Sequence, residues 1–484
     1  MSKEILKLKP KNVWKHFYEL TQIPRPTGHT KAVEKYVVDF AKGLNLDVKQ
    51  DKVGNVLITK PASKGMENAP TVILQSHLDM VPQKNSDVQH DFLKDPIETV
   101  IDGNIVKAKS TTLGADNGIG AAAILAVMED DSLVHGKIEG LFTIDEEEGM
   151  VGAFGLEPGF LTGSILLNLD TEEEGELCIG CAGGIDENVS WQYKDVEAPA
   201  GDAAVKVSLK GLKGGHSGGE IHLGRANANK LMFRFLKEAV RSLDARLASV
   251  EGGSLRNAIP REAFAVLTVL PENAEALMDL VDDYNDLYCE EFAEIETNLT
   301  LKAEKVDLPK TVLPEEIQDD VINAVVACPN GVISMLQSFP GIVESSTNIA
   351  SVKSGEGKVE IKFLTRSSSE SKKEALDSMI ESVFSLADAK VEAVNGYPGW
   401  QPNAHSKVLE VMKSLFVSQF GREPQVQVVH AGLECGIILG STPGLDIVSF
   451  GPTIMNPHSP DEFVEIDTVE RFYHYLTAIL SELK

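Results

Sequence analysis

The chain has 484 residues, 43% hydrophobic and 24% charged, a balance that excludes disorder and fibrous repeats and has room for roughly two to four domains. Its 45 basic against 73 acidic residues give a net charge of −28, a field that repels polyanions and excludes nucleic acid as a partner. Five cysteines, with only Cys178 and Cys181 close together, do not form a disulfide framework.

No apolar run follows Met1-Ser2-Lys3-Glu4, and stretches such as Ala121 to Met128 are too short to span a bilayer. The expectation is a soluble chain in a reducing cytoplasm, without a membrane partner.

The first 60 residues read as two helices and then two short strands ending near Lys60. Thr71 to Ser76 is apolar and β-branched, which predicts a buried strand. A helix is expected after Asp116, through the Ala-rich run Ala121 to Met128. Gly140 to Ile144 and Ile165 to Leu169 are further buried strands, and the alternation predicts an α/β domain: a mixed sheet with helices on both faces. After Gly183-Gly184 the pattern opens into strands Ala263 to Leu270, Lys358 to Thr365 and Lys390 to Val394, with charged helices Ala274 to Ala293 and Ser369 to Ala387. This predicts an inserted α+β domain over residues 185–397, flanked by a first domain made of 1–184 and 398–484. Two β-α-β-β-α-β halves are one way to arrange the insert. The chain closes with a helix from Ser406, strands Gln425 to Val429 and Leu445 to Phe450, and a helix from Thr468.

Chemistry-bearing residues gather at the ends of the buried strands. Ser76-His77-Leu78-Asp79 follows the first, and alternation points His77 and Asp79 the same way. An imidazole and a carboxylate at a sheet's C-terminal edge sit where α/β proteins bind ligands, although such a pair can also simply fix a loop. Asp116, in Leu113-Gly114-Ala115-Asp116-Asn117-Gly118, is placed either as a helix N-cap or as a ligand. Asp145-Glu146-Glu147-Glu148-Gly149 follows the next strand, and adjacent carboxylates there are cheap only when solvated or matched by cations. Asp170 ends a further strand, and His458 lies in the Pro-rich loop Gly451 to Glu462. Together His77, Asp116, Glu147, Asp170 and His458 would form a mixed N/O site suited to zinc, cobalt or manganese, and two ions ~3.5–4 Å apart need a bridging carboxylate. Cys178-Ile179-Gly180-Cys181 lacks the second pair that a structural zinc site requires and reads as small buried residues, with redox work as a remote alternative.

These motifs resemble the metallopeptidase family that includes carnosinases, carboxypeptidase G and aminoacylases. The resemblance extends over nearly the whole chain, through Ser76 to Lys84, Thr111 to Gly120, Gly214 to His222, Arg256 to Glu262, Tyr397 to Pro402 and His430 to Gly436. It implies that Asp116 bridges two divalent ions, most simply zinc, with His77 and Asp170 on one and Glu147 and His458 on the other. It further implies that Asp79 orients His77, that Glu146 is the general base and that the insert is a lid. His216, Asn257, Arg366 and Gly432 would be substrate contacts. The family's acid–Glu–Glu–any–Gly pattern places Gly149 so that Glu148 falls outside the functional pair. The implied activity is hydrolysis of dipeptides, Xaa-His among them. The alternatives are an N-acyl amino acid deacylase on the same centre and a non-catalytic scaffold, the latter disfavoured because every ligand and the base are present. Self-association into a homodimer is left open.

Overall fold

The computed structural model describes residues 2–484, with Met1 outside them. Contacts divide the chain into two units. The first contains residues 1–180, 400–428 and 433–484, and the second 181–399 and 429–432. The short stretch 429–432 thus groups with the second unit, although the sequence reading assigned it to the first domain.

The first unit is built on an eight-stranded mixed sheet. Its order is Asp47–Gln50, Val56–Lys60, Ile138–Thr143, Val72–His77, Ile165–Asn168, Asp446–Ser449, Glu176–Cys181 and Gln425–Val429. Val72–His77 lies parallel to both Ile138–Thr143 and Ile165–Asn168. Every residue of these three central strands is buried, which explains why they read as continuous apolar runs. Because they are parallel, their C-terminal ends share one edge. That edge receives His77, the Asp145–Glu147 turn and Asp170.

The helix Ala115–Glu129 packs on Val72–His77 and is buried from Ala115 to Met128. A helix buried all round shows no amphipathic period, so its signal in sequence is composition alone. At its far end the Lys60 ammonium donates to the carbonyls of Val127, Met128 and Asp130 at 3.0, 3.2 and 2.8 Å. These are carbonyls that a helix leaves unpaired.

The second unit carries a largely antiparallel sheet in the order Thr300–Val306, Ala203–Lys210, Ala263–Val269, Arg246–Gly252, Val343–Gly355, Lys358–Ser367, Gly183–Gln192 and Lys390–Tyr397. It is two β-α-β-β-α-β halves laid edge to edge. One half runs continuously from Ala203 to Val306 around the helices Ala228–Leu243 and Ala274–Glu291. The other takes Gly183–Gln192 as its first strand and resumes after that half with the helix Glu315–Ala327, ending at Lys390–Tyr397. One half interrupting the other is why no linear repeat is visible in sequence. Trp191, Phe363 and Phe384 anchor its core, with Phe384 5.7 and 5.4 Å from the other two rings.

One core position of this sheet carries a carboxyl. Glu187 is fully buried, and burial, with Asp377 and Asp186 adding, pushes its pKa from 4.5 up to about 8. The folded chain therefore binds the proton more tightly than the unfolded chain. Its stabilising effect is full below pH 4.5 and is lost as pH rises through 8. Glu187→Gln is expected to raise the melting temperature by several degrees at pH 8, on the order of 3 kcal/mol, and to change it little at pH 4.5, as read by calorimetry.

Candidate metal centre

The strand Val72–His77 delivers a buried His77. Its Nε2 lies 3.0 Å from Asp116 Oδ1 and 3.5 Å from Asp170 Oδ1, and its Nδ1 lies 3.4 Å from Asp79 Oδ1. Asp79 accepts hydrogen bonds from Thr27 Oγ1 at 2.9 Å and from the N–H groups of Glu146 and Glu147 at 3.1 and 3.3 Å. The Asp79 carboxylate thus ties the His77 strand end to the Glu146–Glu147 turn. Burial works against its charge, but the bond to His77 and these donors hold its pKa below the usual range.

Asp116 stands between the two histidines, its Oδ2 being 3.2 Å from His458 Nε2. That nitrogen is also 2.8 Å from Glu147 Oε2. Asp116 is not the N-cap that its position allowed. Gly114 occupies that place with φ 70°, and no side chain caps it. Asp170 lies beside them and accepts from the Asn117 amide.

The charges respond to one another. Burial, reinforced by Glu147, Asp116 and Asp79, pushes Glu146 up to about 7, a value suited to a group that takes and returns protons near neutrality. Burial raises Asp170 well above its ordinary value. Hydrogen bonds from His458 and His77 overcome burial to hold Asp116 low, and Asp116 and Glu147 push His458 up to about 10. In this cluster histidine protons balance the carboxylates, and protons compete with divalent ions for the same lone pairs.

Three groupings bring ligand atoms within 4.8 Å of one another: His77 with Asp116 and Asp170, His77 with Glu146 and Glu147, and Asp116 with Glu147 and His458. Asp116 belongs to the first and third groupings and Glu147 to the second and third, but it is Asp116 that sets one oxygen beside each histidine, Oδ1 by His77 and Oδ2 by His458. Glu147 Oε1 is buried without a hydrogen-bond partner, as suits a ligand atom. The mixed N/O donors fit a divalent cation of the zinc, cobalt or manganese type. Glu148 is exposed and belongs to none of the groupings.

The four other expected site residues lie in the second unit. His216 and Asn257 are neighbours: Gly215–His216 pairs with Ala258–Ile259, and Ser217 N–H donates to Asn257 C=O at 2.8 Å. His216 Nδ1 accepts from the N–H groups of Gly218 and Gly219 at 3.2 and 2.9 Å, which leaves the ring proton on Nε2. Burial and nearby Arg366 lower its pKa and keep it neutral. Arg366 donates to the Tyr397 hydroxyl at 3.0 Å, and a Cβ on Gly432 would stand 2.8 Å from the Tyr397 ring. Gly218 is packed among the His430 carbonyl, His216 and Arg366, so these groups form one cluster.

Sequence reasoning missed three buried charged residues. Arg25 lies under the His77–Asp79 loop, and nothing in Pro24-Arg25-Pro26 marks it. Glu434 accepts from Gln75 Nε2 and Thr143 Oγ1 at 2.7 and 2.9 Å, which joins the two strands that carry His77 and Glu146. Glu462 grips the Asp116 loop. Glu434 and Glu462 both fall inside motifs already noted, and the signal available was an acid in an otherwise apolar or Pro-rich stretch.

The profile of peptidase family M20/M25/M40 matches residues 73–482. The chain belongs to that family. It is 48% identical over 480 residues to the cytosol non-specific dipeptidase of Escherichia coli (strain K12), covering 99% of both chains. The crystal structure of an aminoacylhistidine dipeptidase from Vibrio alginolyticus superposes with a TM-score of 0.96 at 47% identity, again over 99% of each chain. An aminopeptidase from Bacillus cereus shares the fold, with a TM-score of 0.58 at 18% identity over 98% of this chain and 99% of its own. The metallopeptidase resemblance and the α/β class with a separate antiparallel-sheet domain are thus borne out, and the M20 family implies metal ions.

The glycines of the Asp116 motif make its close packing possible. A Cβ on Gly120 would stand 2.7 Å from the Leu169 carbonyl and would strike the Asn117 amide that holds Asp170. Gly120→Ala is expected to cost about 1–3 kcal/mol by overpacking, seen as a lower denaturation midpoint with an unchanged denaturant slope.

Proposed function

We propose that this protein is a cytosolic dipeptidase that uses two divalent ions, zinc in the first instance with cobalt or manganese as substitutes, and cleaves Xaa-His dipeptides among others. The observation that carries this reading is the position of Asp116, with one oxygen beside His77 and the other beside His458. The named relatives that match almost the whole chain, a cytosol non-specific dipeptidase and an aminoacylhistidine dipeptidase, support the substrate class and the compartment.

In this reading Asp116 would be shared by both ions, with His77 and Asp170 as the further residues that would hold one and Glu147 and His458 those that would hold the other. The ions would supply Lewis acidity, polarising a peptide carbonyl and making water a better nucleophile near neutral pH. Asp79, 3.4 Å from His77 Nδ1, fixes the ring so that Nε2 faces Asp116. Glu146, with its pKa near 7, takes the proton from the attacking water and delivers it to the leaving amine. His216, Asn257, Arg366 and Gly432 are the proposed substrate contacts. His216 offers a neutral Nε2–H, which suits an oxygen gaining negative charge, and Arg366 suits a free carboxylate.

Glu146→Ala is expected to lower kcat by about 10²–10⁴-fold while metal content by elemental analysis stays at the wild-type level. Near-normal turnover would remove Glu146 from the role of base. In the same assays, an Xaa-His dipeptide should be hydrolysed far faster than an N-acetyl amino acid, and the reverse ranking would assign the centre to deacylation.

A further inference from the structure

We propose that Glu462 is a positioning residue of the metal centre, which, with Arg25 on the opposite side, sets the placement of the Asp116 carboxylate. This rests on the two-ion reading above and adds residues outside the ligand set.

The segment Leu113–Asp116 cannot hold itself in place. It enters the helix Ala115–Glu129 through Gly114 in the left-handed region, and Asp116 and Asn117 have non-helical backbone angles inside that helix. The first N–H groups of a helix lack internal partners, and here no capping side chain comes from Gly114. Glu462 takes that task from a distant part of the chain. Its Oε2 accepts from the N–H groups of Leu113 and Gly114 at 2.6 and 2.9 Å, and its Oε1 from those of Ala115 and Asp116 at 2.7 and 3.3 Å. One buried carboxylate thus accepts four consecutive backbone donors.

Arg25 grips the same segment from the other side. Its Nη2 donates to Gly114 C=O at 2.5 Å, and its Nη1 donates to the carbonyls of Leu78 and Asp79, each at 2.9 Å. Gly114 therefore gives its N–H to Glu462 and its C=O to Arg25. A Cβ there would stand 2.6 Å from Nη2, so the glycine is required by this close approach as well as by its φ. Arg25 links the segment to the loop after His77, and Glu462 links it to the loop bearing His458, four residues earlier. That loop is itself braced: Glu462 N–H donates to Ser459 C=O at 3.0 Å, and Asp461 N–H to Ser459 Oγ at 3.1 Å. Asp116 faces both histidines, at 3.0 and 3.2 Å. A shift of Glu462 would therefore move Asp116 relative to His77 and move His458 with it.

An ordinary helix cap would stabilise the fold and nothing else. Glu139 provides that comparison. It is likewise buried and accepts backbone N–H groups, from Thr162 and Gly163 at 2.9 and 3.1 Å, but it lies at the start of its strand, away from the ligand groupings.

The test compares Glu462→Gln with Glu139→Gln in the full-length protein. Zinc affinity is measured by competition with a chromophoric chelator, and the cobalt-loaded visible spectrum is recorded. Glu462→Gln keeps the side-chain size but turns an amide toward the donors. It is expected to weaken zinc binding by about 10–100-fold, alter the cobalt spectrum, and lower kcat with little change in KM. Glu139→Gln should lower the melting temperature yet leave zinc affinity and spectrum at wild type. Should Glu462→Gln fail to fold, Glu462→Asp, which keeps the charge but is one methylene shorter, is read in the same way. Wild-type affinity and spectrum in the Glu462 variant, or an equal metal loss in the Glu139 variant, overturns the proposal. If the wild type itself neither retains zinc nor hydrolyses dipeptides, the two-ion reading fails, and this proposal with it.

Discussion

Buried carboxylates repel one another, and this molecule packs Asp79, Asp116, Glu147 and Asp170, with Glu146 beside them, around two histidines at one sheet edge. Removing several like charges from water is costly unless cations or directed hydrogen bonds compensate. The titration pattern carries the mark of that conflict. Burial drives Glu146 and Asp170 toward the protonated form, while the histidines hold Asp116 as an anion. A pair of divalent ions would resolve the conflict more completely than protons can, since each ion would bring two charges to lone pairs that already converge.

Around this cluster, three buried charged side chains hold the backbone that carries the ligands. Asp79 holds the Glu146–Glu147 turn, Arg25 holds the carbonyls of Leu78, Asp79 and Gly114, and Glu462 holds the Asp116 segment. Ligand placement is therefore set by backbone that charged groups fix from both sides. The apolar strands underneath supply rigidity and a common edge, and the charged supports supply position. In the second unit the same economy gives His216 a single tautomer, because two backbone donors occupy its Nδ1.

Much of this was legible in the sequence, and the misses have physical causes. The central strands were readable because burial on both faces demands continuous β-branched and aliphatic residues. All five expected ligands, His77, Asp116, Glu147, Asp170 and His458, enter the groupings the structure shows, since each follows a recognisable strand or loop signal. Asp116 stood between cap and ligand when its motif was read alone, because acids at helix starts are often caps, and only the fold reveals that Glu462, 346 residues away, satisfies those donors. Arg25 acts through long-range contacts to backbone, which leave no local pattern, while the partners of Glu434, Gln75 and Thr143, are hundreds of residues away, so its acid in an apolar stretch was the one local sign. The assignment of residues 429–432 to the second unit likewise depends on tertiary contacts, and the strand signal at Gln425 to Val429 pointed the other way.

The central claim is that Asp116 and its neighbours hold two ions that dipeptide hydrolysis requires. Stripping the protein with a chelator and titrating zinc back against hydrolysis of an Xaa-His dipeptide tests it most directly. Activity should vanish in the stripped protein and return in full at about two equivalents of zinc per chain, with His458→Ala saturating near one equivalent. Full activity in the stripped wild-type protein, or restoration complete at a single equivalent, would contradict a two-ion centre bridged by Asp116.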